Sequence, residues 1–279
     1  MKRQLISRRG FFRRAALGAT ALAAVGAPAF ADSSPSARPY GPFKMGIQSY
    51  SLRGYGFDQA LEQTMALGLT YWEGFSSHIP ENTSPETVAD VKDKLHIAGI
   101  RMPNYGVVGF GADKDANRKM FEFAHDMGIK VLSADPDPAS FDQLDELVDE
   151  FRIRIAIHNH GPGSRYSTLQ NVTDAIKGRH IRIGACVDTG HYMRSGVDPV
   201  EAVQTIGRRV FDVHLKDVKN QNQFTVLGQG DLKLVELLKL LHGMNYQGLT
   251  ALEYEDKPEN PIADIQASLV AMQAAVKKI

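Results

Sequence analysis

Short apolar runs alternate with longer amphipathic stretches from residue 43 to the end of the chain. The short runs end in polar residues, which is typical of strands, while the stretches between them repeat their apolar positions at helical spacing. Eight strands are predicted, at residues 44–50, 69–75, 100–105, 129–134, 153–158, 183–188, 210–215 and 249–254. The pattern therefore predicts eight consecutive strand–helix units.

The predicted helix boundaries support this count. Ser84 and Asp198 each stand directly before a proline, so each offers a side-chain acceptor at a helix start. Glycines stand shortly before several strands, where a helix commonly ends, at positions 68, 99, 128 and 248. Eight such units without a nucleotide-binding glycine turn predict an α/β fold, a single (β/α)8 TIM barrel over residues 43–279.

The first 31 residues differ in composition from the rest of the chain. They contain six basic residues and no acidic one, with an apolar run at residues 15–26 and Ala-Phe-Ala at residues 29–31. Residues 7–12 resemble the twin-arginine export motif. We predict a signal peptide over residues 1–31, a flexible lead-in over residues 32–42 and a bacterial protein of the periplasm or the medium. An uncleaved anchor is the alternative, although the run is short for a membrane span, and no stable membrane insertion is expected after cleavage.

The charge and the cysteine content limit the functions and the covalent links that this chain can have. The chain has 32 Lys and Arg against 32 Asp and Glu, and without the first 31 residues 26 basic groups face 32 acidic ones. A mildly acidic barrel lacks the basic footprint of a nucleic-acid-binding protein, so nucleic acid is not expected as a partner. The single cysteine, Cys186, excludes an intramolecular disulfide.

Candidate metal ligands follow the last four predicted strands. In such barrels the active site forms at the carboxyl ends of the strands. The first polar residues there are His158, Asp188, His214 and Glu253. Because neighbouring strand ends lie close together, the four side chains are expected to converge, and imidazole with carboxylate suits a transition metal. We predict one divalent ion, with Mn, Co, Zn, Fe, Ni and Mg all open.

Further polar residues at strand ends are candidates for catalysis and substrate binding. Lys216 follows His214 by two residues, so both side chains point to one side of an extended strand. His160 follows the fifth strand and is an acid/base candidate. Substrate contacts are predicted for Gln48, Glu73, Asn104 and His191. Glu73 has a second interpretation, as a hydrogen-bonding brace.

Five motifs in this order resemble the sugar phosphate isomerase/epimerase superfamily, the xylose isomerase-like barrels that also include the family 2 apurinic endonucleases. They lie at residues 155–161, 184–191, 213–217, 227–231 and 252–255. A nuclease of this superfamily requires histidines after strands two and three. This chain has Glu73 and Asn104 there, so a nuclease function is not expected. The resemblance covers the whole chain after the predicted signal peptide and implies a barrel enzyme acting on a small carbohydrate.

The resemblance also implies a ligand set with one departure. Family members hold one divalent cation with Glu, Asp, His and Glu, and the matching positions are His158, Asp188, His214 and Glu253. A histidine at position 158 keeps a ligand but removes one of the two glutamates that transfer protons in related epimerases. The resemblance further implies that Lys216 contacts a substrate oxygen, and related barrels often form homo-oligomers.

Three functions follow as hypotheses. The first is a metal-dependent sugar isomerase or epimerase that abstracts a proton next to a carbonyl, with Glu253 as base, His158 or His160 as its partner and Lys216 as an oxyanion contact. The alternative is a lyase or hydratase acting on keto-sugars or 3-keto-glycosides, because elimination needs only one base and one acid. The third is a non-catalytic periplasmic sugar-binding barrel.

Overall fold

All eight predicted strands close into one parallel barrel in the computed structural model, which describes residues 38–81 and 84–279. The barrel strands are β1 (Lys44–Gln48), β2 (Tyr71–Gly74), β3 (Arg101–Phe110), β4 (Val131–Pro136), β5 (Arg154–His158), β6 (Ile183–Asp188), β7 (Val210–Leu215) and β10 (Leu249–Leu252). They pair in chain order, and β10 pairs with both β7 and β1 to close the ring. The predicted single TIM barrel is confirmed.

Helices follow the strands and pack outside the barrel. They are α1 (Phe57–Ala66), α2 (Pro85–Ala98), α3 (Lys114–Met127), α4 (Phe141–Glu150), α5 (Leu169–Ile176), α6 (Thr189–Arg194), α7 (Pro199–Ile206), α8 (Leu234–Gly243) and α9 (Ile262–Val276). Ser84 accepts a hydrogen bond from Thr87 N, and Asp198 from Val200 N, so both predicted helix starts are present. The structure therefore alternates strand and helix as the apolar pattern predicts.

One predicted helix end is wrong. Gly99 and Gly128 adopt left-handed backbone conformations directly after α2 and α3. After α8, however, the left-handed residue is Asn245, with φ 53°. Gly248 is needed for space instead, because a Cβ there would lie 2.4 Å from the carbonyl oxygen of Phe211.

A small antiparallel hairpin beside the barrel mouth was not predicted. It consists of β8 (Asp217–Lys219) and β9 (Gln223–Thr225), directly after β7. The buried carboxylate of Asp217 accepts hydrogen bonds from the backbone N–H groups of Gly228, Gly230 and Leu232. These bonds hold the glycine-containing loop after the hairpin against the end of β7.

On β4, β5 and β6 the inner positions form an apolar layer beneath a polar layer. Val131, Ala156 and Cys186 pack with Phe211 in a small buried cluster. Two residues further along the same strands lie Ser133, His158 and Asp188, all buried. Because side chains alternate along a strand, the polar set faces inward directly above the apolar set. The lower layer supports the polar residues from beneath.

The chain enters the barrel at its amino-terminal end. Residues 38–42 form turns before β1, and Tyr40 is buried there. The predicted signal peptide and the first part of the predicted lead-in, residues 1–37, lie outside the described residues. Among the helices of the described residues, none has the length and apolar character that crossing a membrane requires.

Candidate metal centre

Four side chains converge where β5, β6, β7 and β10 end. His158 Nε2 lies 3.1 Å from His214 Nδ1, and Glu253 Oε2 lies 2.9 Å from the same Nδ1. Asp188 Oδ2 lies 3.6 Å from His158 Nε2 and 4.0 Å from His214 Nδ1. Atoms that share one ion at 2.0–2.2 Å are at most about 4.4 Å apart. The four residues predicted as ligands therefore form one donor set that fits a single metal ion.

Two features of the donor set favour a cation. Asp188 Oδ2 is buried and faces the Lys216 ammonium at 3.0 Å, but it accepts no well-aligned hydrogen bond from the described residues. Such an atom is costly to bury unless a further partner satisfies it. Burial lowers the pKa of His158 to about 4, so its imidazole is neutral at physiological pH and has a lone pair for a metal.

Lys216 places a positive charge beside the donor set. Its buried Nζ lies 3.0 Å from Asp188 Oδ2 and 3.2 Å from Glu253 Oε2, and it donates a hydrogen bond to Glu255. Burial opposes the ammonium, but these three carboxylates raise the pKa of Lys216. Burial also opposes ionisation of the Glu253 carboxyl group, but the nearby Lys216 and His214 lower the pKa of Glu253 to about 2. At neutral pH Glu253 is a carboxylate and Lys216 an ammonium.

A second group of buried residues holds the other nitrogen of His214. Glu73 Oε2 lies 2.9 Å from His214 Nε2, and Ser133 Oγ donates to Glu73 Oε1 at 2.5 Å. Asp212 Oδ2 lies 3.8 Å from the same Nε2 and accepts a hydrogen bond from Asn104 at 2.6 Å. We call Glu73, Ser133, Asp212 and Asn104 the His214 brace. A carboxylate on the second ring nitrogen orients a metal-binding histidine, and this one turns Nδ1 toward the donor set.

The brace sets the charges around His214. Burial and the neighbouring Glu73 raise the pKa of Asp212 well above its usual range, so one of these two carboxyl groups keeps its proton. Burial disfavours an imidazolium, yet Cys186, Glu73 and Glu253 raise the pKa of His214 well above its usual range. In the metal-free protein a proton on His214 Nδ1 therefore faces Glu253. A metal ion held by His214 Nδ1 would take the place of that proton.

Further histidines surround the mouth above the donor set. The ring of half-buried His160 lies 4.5 Å from that of His158 and 5.6 Å from that of His191. His191 Nε2 lies 3.2 Å from Lys216 Nζ, and its Nδ1 lies 3.3 Å from Arg194 Nη1. The sequence-predicted catalytic candidates His160 and Lys216 thus lie next to the ligands. Their roles in catalysis stay predictions.

The predicted substrate contacts have different surroundings. Glu73 and Asn104 lie in the brace, so the structure shows the bracing contact that the sequence also allowed for Glu73. Gln48 is buried, donates to Gly106 O and accepts from Tyr50 N. Of the four, His191 is the one whose ring borders the mouth, and substrate contact stays a prediction for all four.

Four residues of the site were not predicted: Ser133, Asp212, Glu255 and Phe224. Asp212 precedes His214 by two positions, and Glu255 follows Glu253 by two, so strand alternation was a usable signal for both. Phe224 on the hairpin covers the mouth, with its ring 5.8 Å from the His191 ring and 5.4 Å from Lys216 Nζ. No local sequence signal marks Phe224, because its position depends on the unpredicted hairpin.

Several known proteins are similar to this chain in sequence or in fold. Inosose dehydratase from Clostridium botulinum (strain Eklund 17B / Type B) is 26% identical over 231 residues, covering 73% of this chain and 75% of the relative. An uncharacterised protein from Parabacteroides distasonis ATCC 8503 has a similar structure, with a TM-score of 0.67, 28% identity, and coverage of 84% of this chain and 99% of the other. The IOLI protein, crystallised with a zinc atom, has a TM-score of 0.68 at 17% identity, covering 85% and 99%.

The family assignment rests on most of the barrel. The sequence model of the xylose isomerase-like TIM barrel matches residues 61–274, a range that includes the four donors and the His214 brace. The chain therefore belongs to the xylose isomerase-like TIM barrel family.

Proposed function

We propose that this chain is a divalent-metal-dependent lyase that eliminates water or another substituent from a keto-sugar or a related keto-polyol. One observation carries the proposal: the Lys216 ammonium lies 3.2 Å from the Glu253 carboxylate at the edge of the donor set. A proton acceptor and a proton donor thus stand side by side at the barrel mouth. Elimination requires this pair, one group for the carbon-bound proton and one for the leaving group.

The metal would be held by His158, Asp188, His214 and Glu253. A bound divalent cation would polarise the substrate carbonyl and stabilise negative charge on its oxygen. Two imidazoles and two carboxylates favour a transition metal over Mg, and the zinc in the similar IOLI structure supports this assignment.

The protein side chains would divide the proton transfers. Glu253 would take the proton from the carbon next to the carbonyl, since it is ionised and its second oxygen is not used by His214. Lys216 would donate a hydrogen bond, then a proton, to the departing oxygen. Glu255 and His191 hold Lys216 at this position.

The fifth strand favours a lyase over an epimerase. Epimerisation by two carboxylates requires one on each face of the substrate, and β5 supplies neutral His158 instead of a second carboxylate. Several similar curated proteins are named inosose dehydratase, which supports elimination. An isomerase or epimerase is the second candidate, because burial also lowers the pKa of His160 and leaves a neutral imidazole at the mouth.

The beginning of the chain bears on the substrate. The twin-arginine-like sequence supports export to the periplasm or the medium. Phosphorylated sugars are mainly cytoplasmic, so we propose a free keto-sugar, inosose or 3-keto-glycoside as substrate.

Product analysis in deuterated water tests the proposal. The metal-loaded protein is incubated with inosose, ketoses and 3-keto-glycosides, and the products are examined by mass spectrometry and NMR. A lyase gives a product lighter by one water or one aglycone. A product of unchanged skeleton that carries deuterium supports the epimerase, whereas a bound sugar without deuterium at any carbon supports the sugar-binding barrel, and both overturn the lyase.

A matched pair of variants tests the assigned base. Glu253→Gln removes the carboxylate, while Glu259→Gln makes the same change at an exposed position after β10. We expect turnover of Glu253→Gln to fall by about 10²–10⁴-fold and Glu259→Gln to keep wild-type turnover. Metal content is measured beside activity, so that loss of the ion is distinguished from loss of the base. Undiminished turnover in Glu253→Gln would remove Glu253 from this role.

A further inference from the structure

The amino-terminal end of the barrel, opposite the metal centre, carries a basic residue at the start of five adjacent strands. We call this set the basic arc; it consists of Arg101, Lys130, Arg154, Arg182 and Arg208, at the starts of β3, β4, β5, β6 and β7. The segments that lead into these strands contain no Asp or Glu, at residues 99–101, 128–130, 152–154, 177–182 and 207–209. Within these five segments, every residue with a full charge is therefore basic.

The cations of the basic arc are neighbours. Arg154 N donates to Lys130 O at 3.0 Å, and Ile155 N donates to Arg182 O at 2.9 Å. Arg182 is thus the register neighbour of Arg154 on a strand about 4.8 Å away, whereas Lys130 lies one position before Val131, the register partner of Arg154. Lys130 and Arg154 are exposed, and Arg182 is half-buried. Like charges at adjacent strand starts raise the positive potential locally, beside these residues.

No carboxylate within the described residues 38–81 and 84–279 forms an ion pair with the basic arc. Acidic residues at the neighbouring helix ends are paired with other cations: Asp149 with Arg152, and Asp145 with Arg179. Lys44, at the start of β1, donates to the carbonyl of Gln247 and forms no ion pair with a carboxylate of residues 38–81 or 84–279. The charge of the arc is therefore available to an external anionic partner.

An exposed isoleucine lies within the arc and indicates the kind of partner. Ile181 is 71% exposed, more than any other large apolar residue of the described chain, and it directly precedes Arg182. An apolar side chain between cations is typical of segments that lie in the interface of a bilayer, where the chain inserts and the cations face the headgroups. A nucleic acid backbone would contact the cations but would leave Ile181 without a partner.

The chain also joins the barrel at this end. Arg38 lines a cavity of about 490 Å³ together with Lys44, Gly68 and Gln247, which belong to the strand starts of β1, β2 and β10. The preceding 37 residues include the six basic residues and the apolar run at residues 15–26. The first described residue, Arg38, thus lies at the end of the barrel that carries the basic arc.

We infer that the basic arc and Ile181 dock the barrel on the surface of a bilayer that contains anionic phospholipid. The arginine and lysine side chains contact lipid phosphates, and Ile181 inserts among the headgroups. The metal centre is at the other end of the strands, so its mouth faces away from the membrane. This inference does not depend on the reaction proposed above.

Vesicle binding tests the inference on the full chain. The triple variant Lys130→Gln, Arg154→Gln, Arg182→Gln is compared with a control, Lys114→Gln, Lys119→Gln, Lys219→Gln, which removes the same charge at exposed positions of α3 and the hairpin. The probes are vesicles of equimolar phosphatidylcholine and phosphatidylglycerol and vesicles of phosphatidylcholine alone. All variants keep residues 1–37, so any contribution of that segment is common to them.

We expect at least about a tenfold loss of binding to the anionic vesicles for the triple variant at low salt, and wild-type binding for the control. Ile181→Ser should lower binding by about threefold, and added salt should remove the difference between the two triple variants. Equal binding by both triple variants overturns the inference. So does wild-type binding to duplex DNA or polyphosphate without binding to the anionic vesicles.

Hydrogen–deuterium exchange of the wild type provides a measurement that needs no variant. With anionic vesicles present, slower exchange is expected at residues 128–131, 152–155 and 180–183. Slower exchange at residues 224–231 instead, beside the mouth, overturns the inference.

Discussion

The two ends of the barrel differ in how they hold charge. At the carboxyl end, Lys216 and Asp188 are buried, and each lies within 3.0 Å of an opposite charge. At the amino end, Lys130 and Arg154 are exposed and have no carboxylate partner among the described residues. Buried charges persist only when opposite charges and hydrogen bonds compensate for lost hydration, whereas exposed charges are compensated by water. Substitution of a charged residue should therefore affect stability and metal affinity at the carboxyl end, and binding to charged surfaces at the amino end.

The buried charges of the carboxyl end are suited to catalysis, and the exposed charges of the amino end to contact with another surface. At the carboxyl end, compensation among buried groups fixes protonation states and orients side chains, as the His214 brace does. At the amino end, uncompensated charge creates a field outside the molecule. A position in the carboxyl end is tested by metal affinity and stability, and a position in the amino end by binding to a charged surface.

The largest expected effect is at a metal ligand. Asp188→Asn should lower metal affinity by at least about 100-fold, because a neutral amide replaces the charged Oδ2 of the donor set while Oδ1 continues to accept from His191 N. Asp198→Asn makes the same change at the start of α7 and should leave affinity unchanged. Calorimetric titration with Zn and Mn measures both, and equal affinities in the two variants would exclude Asp188 as a ligand.

The next effect contrasts lysines at the two ends. Lys216→Met should lower the free energy of unfolding by about 3 kcal/mol, because it leaves three carboxylates without their shared cation. Lys130→Met, an exposed lysine, should change it by less than about 0.5 kcal/mol. Urea unfolding of the metal-free proteins measures the difference. A similar loss in both variants would contradict the contrast between the ends.

The pH dependence of stability should show His158. Its pKa is about 4 in the folded protein and 6.5 in the unfolded chain, so between these values the unfolded state binds more protons. Stability of the metal-free protein should therefore rise as pH increases from 4 to 6.5, by roughly 3 kcal/mol at most from this group. In His158→Gln, the free energy of unfolding should depend less steeply on pH, by the contribution of one proton. In His96→Gln, at an exposed helix position, the dependence should be unchanged. An unchanged slope in His158→Gln would refute the assignment.

The smallest expected effect is in the His214 brace. Glu73→Gln should lower metal affinity by about 10-fold, because the amide orients His214 Nε2 less firmly than the carboxylate does. Glu62→Gln, on the outer helix α1, is the matched control and should have no effect. If Glu73→Gln binds metal as tightly as the control, Glu73 does not orient His214.

Much of the site could be predicted because its residues are local to strand ends. His158, Asp188, His214 and Glu253 each follow an apolar run, and a barrel brings the ends of adjacent strands together. The substrate contacts predicted for Glu73 and Asn104 rested on the same rule. This rule identifies residues at strand ends but does not indicate how deeply each side chain is buried. Glu73 and Asn104 are buried, and both belong to the His214 brace.

The sequence by itself determined the alternation of strands and helices, the barrel and the four donors, because hydrophobic periodicity and strand-end polarity are local properties. Only the tertiary structure decided which side chains contact one another. Glu73 reaches His214 across 141 residues, from β2 to β7 on another side of the barrel. Likewise, basic residues at five strand starts became one arc only when the sheet closed, and the exposure of Ile181 beside Arg182 is a property of the folded chain. Such contacts depend on barrel closure, which relates residues far apart in the chain.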